Sequence, residues 1–264
     1  MDLRLQGKLA VVTGSTKGIG LATARLLDQE GARVVINGRS RESVDQALTS
    51  FGKHASGVPA DLSTAEGCAD FVSHVKALGR PDILVNNMGI FEPKDFFDIP
   101  DEDWERFFRT NVMSGVRLAR AFMPAMLERG WGRIVFLSSE SAVNIPEEMI
   151  HYGMTKTAYL SIARGLAQLA TGTDVTVNSV LPGPTWSEGV GGFVTELAEG
   201  EDMDVEEFKE EVFFEEARPT SILQRFTRPE EIASMIVYLC SPLASATTGG
   251  AIRADGGTVR SILP

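Results

Sequence analysis

Short apolar runs rich in β-branched residues alternate along this chain with longer stretches of helical period. The apolar runs fall at 9–13, 33–36, 56–61, 82–86, 133–138, 175–180 and 251–255. Most are apolar on successive residues, as expected of strands covered on both faces. Between them lie predicted helices at 18–30, 40–51, from 63, 101–127, 150–171 and 229–240. A strand followed by a helix, repeated, folds into parallel strands with right-handed crossovers. The expected fold is α/β: a single doubly wound Rossmann-type domain, a seven-stranded parallel sheet with helices on both faces. In such sheets ligands bind beyond the carboxyl ends of the strands, where the strand order reverses.

Local signals set the predicted helix ends. Gly31 closes the first helix, and Ser40 is placed to cap the second. Ser63 with Glu66 reads as a capping box for the third. Pro124 is expected to kink the long helix near its end, and Pro229 to open the last one.

At 264 residues the chain is long enough for one large domain, 1–264, and no linker or repeat divides it. One segment, about 185–220, breaks the strand-helix rhythm. Within 195–216 there are eleven acids and one lysine, so the formal charge of −11 is local. This segment reads as a lid-like substrate element, with Trp186, Phe193, Phe208, Phe213 and Phe214 inward and its carboxylates outward. The acidic balance argues against nucleic-acid or membrane partners. Two distant cysteines exclude a disulfide framework, no apolar run is long enough to span a membrane, and residues 1–7 lack a signal-peptide core. The expectation is a soluble cytoplasmic protein. His54 and His74 have no ligand spacing, so no metal site is predicted.

The first apolar run leads into Thr13-Gly14-Ser15-Thr16-Lys17-Gly18-Ile19-Gly20. Glycines between a strand and a helix permit a tight turn, and the helix N-terminus offers free N–H groups to a pyrophosphate. After the second strand comes Asn37-Gly38-Arg39-Ser40, with no acid to take ribose hydroxyls. Arg39, with Lys17 beside it, would instead pair with a 2′-phosphate, so NADP(H) is favoured and NAD(H) remains possible.

Tyr152 and Lys156 share one face of a predicted helix. Ser138 and Ser139 end the preceding strand, on the same side of the sheet as the glycine loop. Together with Asp61, Asn86-Asn87-Met88-Gly89, Asn111 and Pro182-Gly183, these residues occur in the order and spacing of the short-chain dehydrogenase/reductase family. The chain resembles that family along essentially its whole length, in its roughly 250-residue subtype. The resemblance implies roles by position. Tyr152 would be the acid in reduction and the base in oxidation, Ser139 would hold the substrate oxygen, and Lys156 would hold the nicotinamide ribose. Asn111 would anchor a water joining Lys156 to solvent. Asp61 with Leu62 would meet the adenine, Asn87, Met88 and Gly89 the adenosine ribose, and Pro182, Gly183, Thr185 and Ser187 the nicotinamide. Met88 stands where the family usually has Ala, and Ser187 where it usually has Thr.

Electrostatics are compatible with these roles. A cation about 4 Å from a phenol, at an effective dielectric near 20, is worth roughly 4 kcal/mol, about three pKa units before desolvation opposes it. Lys156 is therefore expected to draw the Tyr152 pKa down. The expected reaction is NADP(H)-dependent interconversion of a small-molecule carbonyl and a secondary alcohol. Alternatives are a 3-oxoacyl-thioester reductase, an NAD-dependent alcohol dehydrogenase, enoyl reduction or dehydration on the same fold, or a non-catalytic dinucleotide sensor. Ser141 and Asn144 are candidates to touch substrate, whereas His151 points to another helix face and reads as packing. Family analogy implies a homo-oligomer, commonly a homotetramer.

Overall fold

The computed structural model describes residues 1–200 and 203–262, without the side chains at 193, 196, 197, 210 and 211. Its seven strands are β1 (Leu9–Val12), β2 (Arg33–Gly38), β3 (Ser56–Pro59), β4 (Ile83–Asn86), β5 (Trp131–Leu137), β6 (Asp174–Pro182) and β7 (Ala251–Ala254). They form one sheet in the order β3-β2-β1-β4-β5-β6-β7, and every pairing is parallel. The order reverses between β1 and β4, which are neighbours in space although β2 and β3 intervene in sequence.

Helices cover both faces because strand residues alternate in direction. Ala10, Val12, Val34, Ile36, Ile83 and Val85 join one core with α1 (Gly18–Gln29), α2 (Arg41–Leu48) and α9 (Pro229–Cys240). Val11, Val35, Leu84, Ile134 and Phe136 join the other with α3 (Ala65–Leu78), α5 (Ser114–Arg129) and α6 (Ile150–Leu169). Phe71, Phe122 and Phe136 are fully buried there, and each contributes about 1.5–3 kcal/mol.

Two local expectations are corrected. Thr64, not Ser63, caps α3, accepting a hydrogen bond from Gly67 N–H at 2.9 Å. The Ser63 hydroxyl instead donates to Asp61 Oδ1 at 2.7 Å. The predicted helix at 101–127 is not one element kinked at Pro124. It is α4 (Asp101–Phe107), a π turn at Phe108–Met113, and α5. Pro124 lies on the exposed face of α5, and the helix continues through it to Arg129. The π turn makes the break, and it carries Asn111.

The described part of the segment after β6 forms a helical cap: α7 (Glu188–Gly200), α8 (Val205–Glu207) and a π stretch at Phe208–Ala217. Phe208, Phe213 and Phe214 are buried with Val194 and Ala198 in a small core of their own, with Trp186 and Phe226 packed against it. Asp204, Glu206, Glu207, Glu215 and Glu216 face solvent. The Phe193 side chain, expected to point inward, lies outside the described residues.

Candidate active site

The reversal between β1 and β4 opens a crevice lined by the 13–20 loop and by residues 87–89. Thr13 stitches its two sides together: Oγ1 accepts from the N–H groups of Asn87 and Met88, each at 3.0 Å. Asn87 returns the tie, its amide donating to the carbonyls of Thr13 and Gly14 at 2.8 Å each. Gly14 and Gly18 hold φ of +55° and +57°, where a side chain would be strained. A Cβ on Gly20 would lie 2.4 Å from Asn87 Nδ2 and 2.5 Å from Gly14 O. Because α1 starts at Gly18, its first-turn N–H groups have no acceptor within the helix. Across the crevice, Ser187 Cβ is 3.4 Å from where a Gly18 Cβ would stand, so the root of the cap closes on the loop.

Several predicted residues support this shape from behind. Ser15 Oγ donates to Val12 O at 2.6 Å and accepts from Asn37 N–H at 2.9 Å. The Asn37 amide is engaged with Gly14 N–H and with the carbonyls of Gly38, Val58 and Ala60. Thr16 packs on Gly38, where a Cβ would meet its methyl at 2.5 Å. The Leu62 side chain is buried in the core, and Met88 packs against the same core. By contrast Lys17 and Arg39 are exposed, with no ion partner among the described residues, and Ser40 caps α2 through Ser43 N–H. Asp61 is exposed beside them, turned onto Ser63.

Beyond β5, the two serines divide their work. The Ser138 hydroxyl donates to the Lys156 backbone carbonyl at 2.8 Å, whereas Ser139 Oγ faces the Tyr152 phenol and accepts from Ser141 N–H at 3.1 Å. Lys156 is buried; its Nζ donates to Leu137 O at 2.9 Å and lies 5.5 Å from the centre of the Tyr152 ring. Burial draws the lysine down to about 8. Burial also pushes Tyr152 up to about 12, with the Glu140 carboxylate adding to it while the hydrogen bond to Ser139 and the charge of Arg218 oppose it. The expected downward pull of Lys156 is not among the influences on the phenol, and desolvation, which the sequence does not display, sets the direction.

Asn111 is fully buried in the π turn. Its Oδ1 accepts from Ile90 N–H at 2.7 Å, and its Nδ2 donates to Ile90 O at 2.9 Å and Thr155 Oγ1 at 3.0 Å. Thr155 in turn donates to the Tyr152 carbonyl at 2.7 Å. The Asn111 side chain therefore holds the strand-β4 loop and the Tyr152 helix together. Gly89 intervenes between it and Lys156 Nζ.

After β6, a Cβ on Gly183 would lie 2.4 Å from Asp255 O, so only glycine fits beside β7. Thr185 is buried and shares a 2.9 Å hydrogen bond with Thr227, and Ser187 accepts from Val190 N–H. Phe91 meets Tyr152 edge-on, with Val143 and Ile145 exposed nearby in sequence after Ser139. Asn144 is exposed, while Ser141 is buried and bonded to Glu140. His151 is buried against Phe107, ring centres 4.1 Å apart, in keeping with a packing role. Among the described residues no group of three His, Cys, Asp or Glu is placed to hold a metal ion.

Sequence reading missed Glu140, Thr155 and Arg218, and it named Thr13 only as part of the glycine loop, without its tie to Asn87 and Met88. Glu140 follows Ser139 directly, so position alone marks it. Nothing local marks Thr155 or Arg218.

The family whose model is described as Enoyl-(Acyl carrier protein) reductase matches residues 14–259. An uncharacterized oxidoreductase of Bacillus subtilis, YvaG, is 54% identical over 99% of this chain and 100% of its own. The 3-oxoacyl-[acyl-carrier-protein] reductase FabG of Aquifex aeolicus is 32% identical, covering 97% of this chain and 99% of its own. Among solved structures, L-sorbose reductase from Gluconobacter frateurii, complexed with NADPH and L-sorbose, superposes with a TM-score of 0.93 at 33% identity, covering 99% of this chain and 100% of that one.

Proposed function

The chain belongs to the short-chain dehydrogenase/reductase family of NAD(P)-dependent oxidoreductases, and from that premise we propose that it interconverts a carbonyl and a secondary alcohol with NADP(H), using Tyr152 as acid and base. The observation that carries this reading is the Tyr152 phenol beside the Ser139 hydroxyl, with the Lys156 ammonium on the same helix face. A phenol at about 12 is protonated at neutral pH, so it serves first as a proton donor to a carbonyl oxygen. Ser139 donates to the same oxygen and orients it. Asn111 fixes the distance between the loop after β4 and the Tyr152 helix.

The crevice suits a dinucleotide. Gly14, Gly18 and Gly20 leave room that side chains would fill, and the α1 N-terminus faces it with unsatisfied N–H groups. Residues 87–89 would hold the adenosine ribose, Asp61 and the Leu62 backbone the adenine, and Lys156, Pro182, Gly183, Thr185 and Ser187 the nicotinamide end. The unpaired cations of Lys17 and Arg39 favour a 2′-phosphate, hence NADP(H) over NAD(H). Bound there, NADPH supplies the hydride that the carbonyl carbon receives.

The substrate read from the surroundings is a neutral carbonyl compound. Arg218, whose charge reaches Tyr152, is already held between Glu140 and Glu148, so it is no receptor for a substrate carboxylate. The sugar held by the L-sorbose reductase neighbour is of this neutral kind. A 3-oxoacyl thioester is the second reading, favoured by the FabG relative. The 185–220 cap is read as the lid over that substrate. Exposed Phe108, Ile222, Leu223 and Ile262 support assembly into a homo-oligomer such as a tetramer. Among the described residues no helix is long and apolar enough to cross a membrane. Both cysteines are buried and free, which supports a reducing, cytoplasmic setting.

The test is a screen of neutral hydroxy-ketones and 3-oxoacyl thioesters with NADPH, with Tyr152→Phe alongside. Turnover should yield a new hydroxyl and fall by about 10²–10⁴-fold in the variant, with NADPH binding retained. Undiminished turnover by Tyr152→Phe would overturn the assignment.

A further inference from the structure

Glu140 immediately follows Ser139, yet it faces away from solvent, with 4% of its surface exposed. It opens the single turn Glu140–Ala142, in which Ser141 N–H donates to Ser139 Oγ and Ser141 Oγ donates to Glu140 Oε1 at 3.1 Å. The serine hydroxyl and the glutamate carboxylate are thus two ends of one short network. Glu140 Oε1 also accepts from Arg218 Nε at 3.2 Å.

Arg218 comes from the far end of the cap, seventy-eight residues away in sequence. Its side chain is only 12% exposed, and its Nη1 lies 3.6 Å from Glu148 in the turn that leads into α6. Its backbone N–H donates to Phe213 O at 3.0 Å, and Phe213 belongs to the cap's apolar core. Among the described residues, the ion pairs that join the cap to the rest of the chain are those made by Arg218. Three pieces therefore meet at one guanidinium: the Ser139 loop, the entry to the Tyr152 helix, and the tail of the cap.

We propose that Glu140 is a positioning residue which, through Arg218, latches the cap over the Ser139–Tyr152 site. The proposal rests on the reading of those two residues as the reacting groups, but the latch itself is a structural statement. Its physical basis is the state of the carboxylate. Oε2 is buried without a hydrogen-bond partner, so the charge of Glu140 leans on Arg218 and the Ser141 hydroxyl alone. Burial already presses its carboxyl upward, with Asp255 adding to that pressure and Arg218 opposing it. Lifting the cap would withdraw the counter-ion and strand a buried charge, which is strongly unfavourable. The closed cap is therefore favoured by the charge on a residue that touches the catalytic serine's own turn.

Hydrogen exchange on the NADPH-loaded protein tests this without any turnover assay, so it succeeds or fails independently of the catalytic reading. Glu140→Gln and Arg218→Met should each speed exchange in cap peptides from 203–217 by about tenfold, leaving β1 and β4 protected. The double variant should be no faster than either single one, because both remove the same pair. Arg218→Lys, which keeps the cation, should restore most of the protection, a rescue that mere packing would not produce. Unchanged cap exchange, additive effects in the double variant, or no difference between Arg218→Lys and Arg218→Met would overturn the latch. If Glu140→Gln does not fold, the two Arg218 variants decide alone.

Discussion

Asn111 and Ile90 close a ring of two hydrogen bonds, amide to amide, with Oδ1 accepting at 2.7 Å and Nδ2 donating at 2.9 Å. A side chain here imitates a strand partner for a loop that has none, and a third bond to Thr155 carries the tie into α6. Asn111→Leu would leave the N–H and carbonyl of Ile90 without these partners. Each unsatisfied group is expected to cost about 1–3 kcal/mol. The variant should show a lower denaturant midpoint and weaker NADPH binding, since Ile90, next to residues 87–89, loses its anchor. An unchanged midpoint would mean that the loop is held by Thr13 alone.

The pH dependence follows from Tyr152 and Lys156. Tyr152 is raised from its ordinary 10 to about 12, so reduction, which needs the phenol, should stay level across neutral pH. Oxidation needs the phenolate and should rise about tenfold per pH unit on the alkaline side until other groups titrate. For stability, a raised folded pKa contributes most below pH 10 and is lost as pH climbs toward 12. Lys156 runs the other way. Lowered from 10.5 to about 8, it makes the folded state gain stability as pH rises through that window. Tyr152→Phe removes only the first contribution, so its urea midpoint should fall less than the wild type's between pH 10 and 12. Parallel losses in the two proteins would count against the burial of the phenol.

What could be read from the sequence was whatever depends on short spacing. Strand-helix alternation, the glycine loop, the four-residue step from Tyr152 to Lys156 and the cap of α2 by Ser40 all depend on near neighbours. The break at Phe108–Met113 was not legible, because apolar periodicity runs on through a π turn and Pro124 offered a more obvious place to bend. Ser63 and Thr64 both offer hydroxyls, and only the backbone geometry selects the second. Glu140 and Arg218 find each other across the fold, so neither looks unusual locally. The sign of the Tyr152 shift was missed for a related reason: a charged partner is visible in a sequence, whereas burial is a property of everything else.

Gly20 tests the shape of the crevice. A methyl there would sit 2.4 Å from Asn87 Nδ2 and 2.5 Å from Gly14 O, too close for either to yield without opening the 13–20 loop. Gly20→Ala is expected to fold, since the clash is confined to the loops beyond the carboxyl ends of β1 and β4, but to weaken NADPH binding by at least about tenfold, on the order of 1.4 kcal/mol. Gly165→Ala, at a position with open space around it, is the matched control and should bind normally. Equal binding by both variants would place the dinucleotide elsewhere.

Selectivity between the two nicotinamide cofactors should reside in Arg39, with Lys17 as its helper. Both are exposed and lack ion partners among the described residues, so their charges are available without breaking another pair. Exposed pairs with a single acid are weak, about 0–1 kcal/mol. A phosphate dianion met by a guanidinium fork is stronger, because two parallel hydrogen bonds add to the charge. Arg39→Ala should therefore raise the NADPH dissociation constant by about ten- to a hundredfold while leaving NADH nearly untouched. Lys17→Ala should have a smaller effect of the same sign. Added salt should weaken NADPH binding to the wild type more than to Arg39→Ala, since only the wild type keeps the full charge contact. Fluorescence titration of both cofactors against the three proteins measures all of this at once. Equal loss of NADPH and NADH in Arg39→Ala would mean that the arginine shapes the loop instead of reading the phosphate.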